Sequence, residues 1–325
     1  MKKSQWLKYT LSFLLAGVLV YFAFRKVDWT AFWEGLRQTR WGFMGLYVIV
    51  AVAALLFRAL RWQSILRPLD PSVSGLLVWD ADNIGNLVNI VLPSAGEFTR
   101  CGIVSGKKAS YDKVFGTVAC ERVCDTLAVF VIFFATFIID ADTFRTFFVD
   151  NIWQPLAGKL GGAVWWIGGG VVVLLAAAVF AIFRLRGTNR FCGKVAGVFT
   201  GLGEGFASIA RMERKWTFVL YTILIWVMYF FMSYFVMKAV PATSPLPLAA
   251  ALFITAVGNI ASIIPVPGGV GAYHYLVALT IQGIYFLPWD TGILYATLNH
   301  ESHAVLVLVL GLVSFVAWTL RKKRI

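Results

Sequence analysis

Six stretches of this chain are too long and too apolar to lie on the surface of a water-soluble protein. They run over residues 9–24, 42–60, 114–139, 163–183, 216–240 and 290–320. A helix needs about 20 mostly apolar residues to cross the hydrocarbon core of a bilayer. Lipid offers no hydrogen-bond partner to the backbone, so such runs must satisfy themselves as helices. The chain therefore reads as an all-α polytopic membrane protein, a single transmembrane domain over residues 1–325. Composition agrees, with 59% hydrophobic residues and only 14% charged, where a soluble domain carries roughly a quarter charged. The first run follows Lys2, Lys3 and Lys8 and ends in Tyr21-Phe22-Ala23-Phe24-Arg25. It lacks a small-residue cleavage site, so it reads as an uncleaved first span and not a removed signal.

Net charge is +13, from 29 Lys and Arg against 16 Asp and Glu. On a soluble chain that balance would suggest nucleic acid. Here it is the excess of cations that cytoplasmic loops carry, and no nucleic-acid partner is expected. Basic residues crowd into 1–8, 61–74, 97–113, 184–215 and the tail Arg321-Lys322-Lys323-Arg324, whereas 241–247 and 266–290 have none. Both termini are then cytoplasmic. The stretch 25–41 conflicts with this topology, because it holds Arg25, Lys26, Arg37 and Arg40 yet falls outside by alternation. Two further apolar stretches, 75–92 and 248–286, are broken by Gly, Pro and Asn. Six crossings result if both dip into the membrane and return, and eight if 248–286 makes two spans. Residues 188–214 place Phe191, Val195, Val198, Leu202, Phe206 and Ile209 at helical spacing, which suits an amphipathic connector in the interface. Cys101, Cys120, Cys124 and Cys192 lack zinc-site spacing, and Cys120 and Cys124, four apart on one helix face, read as packing residues.

The two broken stretches resemble each other. Ile84-Gly85-Asn86 leads through an apolar run to Pro93-Ser94-Ala95-Gly96-Glu97. Val257-Gly258-Asn259 leads likewise to Pro265-Val266-Pro267-Gly268-Gly269. The loop charges place them on opposite sides of the membrane, the pattern of an inverted repeat with a midplane substrate site. Gly and Pro free backbone groups at bilayer depth, and those groups must face protein, water or ligand.

Charges also occur where lipid would forbid them. Glu121, Arg122 and Asp125 lie within 114–139, a helix about 39 Å long. An ionised residue at a helix centre costs about 2.5–3.5 kcal/mol on insertion scales, so such residues are usually functional. Glu121 and Asp125 share a face and repel unless a cation lies between them or one is protonated. Arg122 and Arg100 are the nearest candidates, with Glu97 beside them. The alternatives are a purely structural pairing that fixes helix register, or an Arg122 that snorkels to the surface. Near the second break, His274 and Tyr275 precede the polar patch Asn299-His300-Glu301-Ser302-His303. That patch is not H-E-x-x-H, so a zinc peptidase is not expected.

Arg58-Ala59-Leu60-Arg61-Trp62, then Leu92-Pro93 through Gly96-Glu97 to Arg100, then Glu121-Arg122 with Asp125, then Pro265 through Pro267-Gly268-Gly269-Val270-Gly271 occur in that order. In this the chain resembles the flippase-like membrane domain of lysylphosphatidylglycerol synthases (MprF-type), from about residue 55 onward. The resemblance implies a lipid transporter of the bacterial cytoplasmic membrane. It does not carry over the synthase activity, whose soluble domain would follow the last helix. The implied cargo is a phospholipid or an isoprenoid-phosphate-linked lipid, bound by its anionic or phosphate-bearing headgroup. Arg100 and Arg122 would hold the phosphate, supported by Glu97, Glu121 and Asp125. Arg58 and Arg61 would sit at the cytoplasmic mouth. Asn86, Asn259, Gly268 and Gly269 would form the gates, with His274 beside them. No cofactor, metal or catalytic residue is expected, and no ATP-binding loop occurs. A homodimer or a glycosyltransferase partner is compatible with this reading. The rival readings are a membrane-embedded transferase, which lacks a D-D-x-x-D-like cluster, and a non-transporting member of a glycan-assembly complex.

Overall fold

The computed structural model describes residues 3–149 except Pro93, residues 214–322 except Ser262, Ile263 and Pro265, and single positions between 154 and 185. Among these residues all regular structure is helical. The expected span 163–183 lies largely outside them. So do the expected amphipathic connector 188–214 (but for Arg214) and Cys192.

Among the described residues, four helices are long and apolar enough to cross a membrane: α3 (Trp41–Leu66), α6 (Tyr111–Ile139), α8 (Lys215–Ala239) and α11 (Trp289–Lys322). A fifth candidate is bent. Helix α1 (Lys3–Phe24) meets α2 (Trp29–Arg37) at 82°. The sharp turn has a local cause. Asp28 ends the linker in an extended conformation, and its Oδ1 accepts hydrogen bonds from the backbone N–H of Thr30 at 2.8 Å and Ala31 at 3.2 Å. Two of the otherwise orphaned first-turn donors of α2 are thereby satisfied. Helix α2 buries Phe32 and exposes Trp29 and Trp33, a distribution suited to the lipid–water boundary. The basic stretch 25–41 is thus mostly a second helix turned across the first, and not a simple external loop. Asp28→Ala should cost about 1 kcal/mol, read as a lower melting temperature of the detergent-purified chain.

Helices α3 and α8 pack together along most of their length. They run antiparallel. The Arg40 N–H donates to the carbonyl of Ala239 at 2.9 Å, Arg58 Nη1 to the Tyr229 hydroxyl at 3.3 Å, and Arg61 Nη1 to Thr222 Oγ1 at 3.4 Å. Numbering rises on one helix as it falls on the other. Each helix then leads into a broken segment: α4 (Gly75–Val91) and α5 (Ala95–Val104) after α3, and α9 (Leu248–Ala261) and α10 (Ala272–Tyr285) after α8. Both segments fold back on themselves as helical hairpins. Because α3 and α8 end at opposite ends of the bundle, the hairpins enter from opposite ends.

The hairpin arms approach through glycine. A Cβ on Gly85 would lie 2.9 Å from the carbonyl oxygen of Gly96, and one on Gly258 would lie 2.5 Å from the Tyr273 ring. Gly85 and Gly258 are the equivalent glycines of the two Gly-Asn pairs. Their shared role at the crossing of the arms is the physical content of the sequence repeat. At the first break Ser94 takes a left-handed conformation (φ 63°). Asn89 reaches across it, accepting from the Gly96 N–H at 2.7 Å and donating to Glu97 at 3.2 Å. The start of α5 is thus capped by a side chain of α4. At the second break a short turn, Pro267–Gly269, carries Gly268 at φ 60° and Gly269 at φ 76°. Gly268 lies against the carbonyl of Ile90, near the end of α4, so the two hairpin tips meet.

Small side chains let the helices close up around the second hairpin. Ala250, Ala251 and Ala278 are fully buried, and a Cβ on Gly292 would lie 2.7 Å from the Cα of Ala278. Such residues favour close helix packing in lipid. Buried hydroxyls are satisfied by neighbours. Tyr47 donates to the carbonyl of Asn299 at 2.6 Å, and the Ser233 and Tyr295 hydroxyls lie 2.6 Å apart.

The described residues between 137 and 185 belong to a second unit. Within it α7 (Ala141–Phe148) carries Asp142 in its first turn and Arg145 in its last, the placement that complements a helix dipole.

Candidate functional site

Two carboxylates one turn apart on α6 set the electrostatic problem, and α3 supplies the answer. Arg61 donates from Nε to Glu121 at 3.2 Å, and from Nη1 and Nη2 to the two oxygens of Asp125 at 2.6 and 3.0 Å. The planar guanidinium fork matches both acids, which a lysine ammonium would not. Arg100 on α5 continues the chain, donating to Glu121 at 3.0 Å and to Asp82 on α4 at 2.9 Å while stacking over Trp62 at 4.5 Å. Arg58 closes it, 3.6 Å from Asp82. Charges thus alternate from Asp125 through Arg61, Glu121, Arg100 and Asp82 to Arg58. Three arginines offset three carboxylates, which is what burial of so many ions demands.

This arrangement corrects three expectations. The cation between Glu121 and Asp125 is Arg61, not Arg122 or Arg100. Arg122 follows Glu121 by one residue, about 100° around the helix, and pairs instead with Glu97 at 2.6 Å. Arg61 is not at a mouth but 2% exposed. Its long stem is drawn inward by the two acids. Arg100 is likewise 4% exposed, with two carboxylates bound to its guanidinium, so it braces the fold from within.

Asp82, a member of this network, and Asp80, outside it, carry no signal in the motifs singled out above. Asp80 pairs with Arg321 near the end of α11. Both sit in Trp79-Asp80-Ala81-Asp82-Asn83, inside the apolar stretch 75–92. The rule that exposed Glu121 and Asp125, an acid at bilayer depth, would have found them too.

A cavity of about 560 Å³ opens where the hairpin tips meet. Asn86, Asn89 and Glu97 line it from the first hairpin, Asn259, Gly268 and Gly269 from the second. Arg58, Arg122, Tyr229, His300, Glu301 and His303 complete its polar wall. A second cavity of about 460 Å³ shares Arg58, Glu97, Arg122 and Asn259 with it and adds Asp125 and Trp226. Of the residues singled out in sequence, Arg58, Asn86, Glu97, Arg122, Asp125, Asn259, Gly268 and Gly269 therefore line a cavity. Arg61, Arg100 and Glu121 lie buried beneath the wall, and His274, 1% exposed, lies beside His300. The Arg122 side chain is 46% exposed, the most open of the network arginines. Asn86 Nδ2 and His303 Nδ1 are buried without a hydrogen-bond partner among the described residues. Both cations and unpaired polar nitrogens suit a ligand rich in oxygen acceptors.

Among known proteins, the family model described as "Lysylphosphatidylglycerol synthase TM region" matches residues 9–311. No curated protein and no solved structure matches the chain.

Proposed function

Because the chain belongs to the lysylphosphatidylglycerol synthase TM-region family, whose members are membrane proteins acting on lipids, we propose that it binds a lipid by a phosphate-bearing headgroup and carries that headgroup between leaflets. The observation that carries this reading is the polar cavity at the meeting of two hairpins that enter from opposite ends. A headgroup there is within reach of both ends of the bundle. Its phosphate would take the Arg122 guanidinium, exchanging the Glu97 carboxylate for its own oxygens, with Arg58 adjacent. The acyl chains would remain in lipid along the apolar helix faces.

The neutral network below keeps this wall in place. Arg58 and Arg122 are the cations it presents to the cavity, and two cations suit a phosphate or diphosphate. The bundle end near Arg67, Lys107, Lys108 and Lys113 is the cytoplasmic one on this reading, by its cation excess. The membrane is then the bacterial inner membrane, with both termini in the cytoplasm.

The test uses the full chain in vesicles containing a headgroup-labelled anionic phospholipid, with a membrane-impermeant quencher reporting the outer leaflet. The wild-type chain should accelerate exchange. Arg122→Ala should slow it about 10–100-fold, the loss of one charge-assisted contact of about 1.5–3 kcal/mol. A wild-type chain that exchanges no lipid, or an Arg122→Ala variant as fast as wild type, would overturn the proposal.

A further inference from the structure

The chain has three histidines, and all three gather beside the second break. His300 Nε2 donates to the carbonyl of Gly268 at 2.8 Å. A carbonyl only accepts, so the ring hydrogen of a neutral His300 is on Nε2, and Nδ1 is left with a lone pair. That lone pair lies 2.9 Å from Oε1 of Glu301, another acceptor. His274 Nε2 lies 3.6 Å from the same carboxylate oxygen. One ligand atom from each of His274, His300 and Glu301 thus falls within 4.8 Å of the others. In the neutral tautomer that the Gly268 carbonyl selects, His300 Nδ1 and the Glu301 carboxylate both present electron pairs, and either a proton on Nδ1 or a metal cation must lie between them.

We propose that His274, His300 and Glu301 bind a zinc-class divalent cation in the wall of the cavity, with a fourth position open to the interior. The donor set is two imidazoles and one carboxylate, which suits Zn²⁺ and leaves a place for water or an oxygen ligand. Tetrahedral zinc with bonds of about 2.0–2.1 Å separates its ligand atoms by about 3.4 Å. The two contacts to Glu301, 2.9 and 3.6 Å, bracket that spacing, and all three ligand atoms lie within 4.8 Å of one another. The outer contact is of the kind that metal-bound histidines require: the second ring nitrogen of His300 is fixed by a backbone carbonyl. Gly268 can offer that carbonyl because its left-handed φ of 60° turns the break toward α11. The cation would join α10, through His274, to α11, through His300 and Glu301. His300 and Glu301 line the cavity, so the open position faces whatever the cavity holds. His303 also lines it but is not part of the three-residue set.

The experiment is equilibrium dialysis of the full detergent-purified chain, stripped with chelator, against zinc at neutral pH, with bound metal measured by elemental analysis. About one zinc per chain is expected, displaced as pH falls because protons compete for the imidazoles. Glu301→Gln and His300→Gln, each checked for helical content and elution volume, should weaken binding at least about 100-fold, beyond the 10–100-fold usual for outer-shell changes. His303→Gln should leave affinity within about threefold of wild type on the same scale. A folded wild-type chain that takes up less than about a tenth of an equivalent of zinc on that scale overturns the proposal, and the shared cation is then a proton. Unchanged affinity in both folded ligand variants overturns it as well. Neither result bears on lipid exchange, which is measured separately.

Discussion

Arg61→Leu is expected to destabilise the chain by about 3–5 kcal/mol. Leucine keeps much of the volume of the arginine stem, so little of the loss would come from a cavity. The cost arises from what remains. Glu121, 3% exposed, and Asp125 would face each other on one helix face without the cation that now binds both. Arg61→Lys should recover only part of the loss, since an ammonium cannot make the two-pronged contact with Asp125. A second change separates charge from shape. Arg61→Leu combined with Asp125→Asn removes the carboxylate that loses its paired cation, since Arg100 still holds Glu121, and should be more stable than Arg61→Leu alone. Denaturant titration of the purified chain in detergent measures all of these. A single variant within about 1 kcal/mol of wild type, on the scale expected for an exposed pair, would show that the pairing contributes little.

Gly96→Ala should be nearly as damaging, although it adds a single methyl group. At this position a Cβ would overlap the backbone carbonyl oxygen of Gly85 and come within 2.7 Å of the Asn89 side chain. Neither neighbour can yield cheaply. Gly85 belongs to the facing helix backbone, and Asn89 holds the Gly96 N–H across the break. The arms must therefore separate, at a cost of about 3 kcal/mol or more, and the first hairpin loses its cap. Gly102 on the same helix is the control, since a Cβ there meets nothing within 4 Å. Gly102→Ala should be neutral or stabilising by up to about 1 kcal/mol through helix propensity. Comparable melting temperatures for the two alanine variants would contradict the close-packed hairpin.

The large features were legible because they depend on local composition. Runs such as 42–60 and 216–240 became α3 (Trp41–Leu66) and α8 (Lys215–Ala239), since length and apolarity alone decide whether a helix can cross lipid. The breaks were legible for the same reason. Gly and Pro interrupt the ladder wherever they occur, and both broken stretches fold as hairpins. The end of the first run at Phe24 was legible, but helix α2 was not, because Arg25, Lys26, Arg37 and Arg40 make 25–41 read as a basic loop.

The site divides in the same way. Sequence determined which charges had to be explained, because Glu121 and Asp125 in an apolar helix are costly wherever they lie. It also gave the repeated Gly-Asn pairs. It did not determine the partners. Arg61 precedes Glu121 by sixty positions, and only the packing of α3 against α6 and α8 makes it the shared cation in place of adjacent Arg122. Asp82 acquires its role only when α4 folds back beside α5 and brings it to Arg100. The opposite entry of the two hairpins was anticipated from loop charge, but its structural basis is the antiparallel run of α3 and α8, a long-range contact. Local chemistry sets the cost of each buried group; the tertiary fold decides what offsets it, because an ion pair depends on distance in space and not on position along the chain.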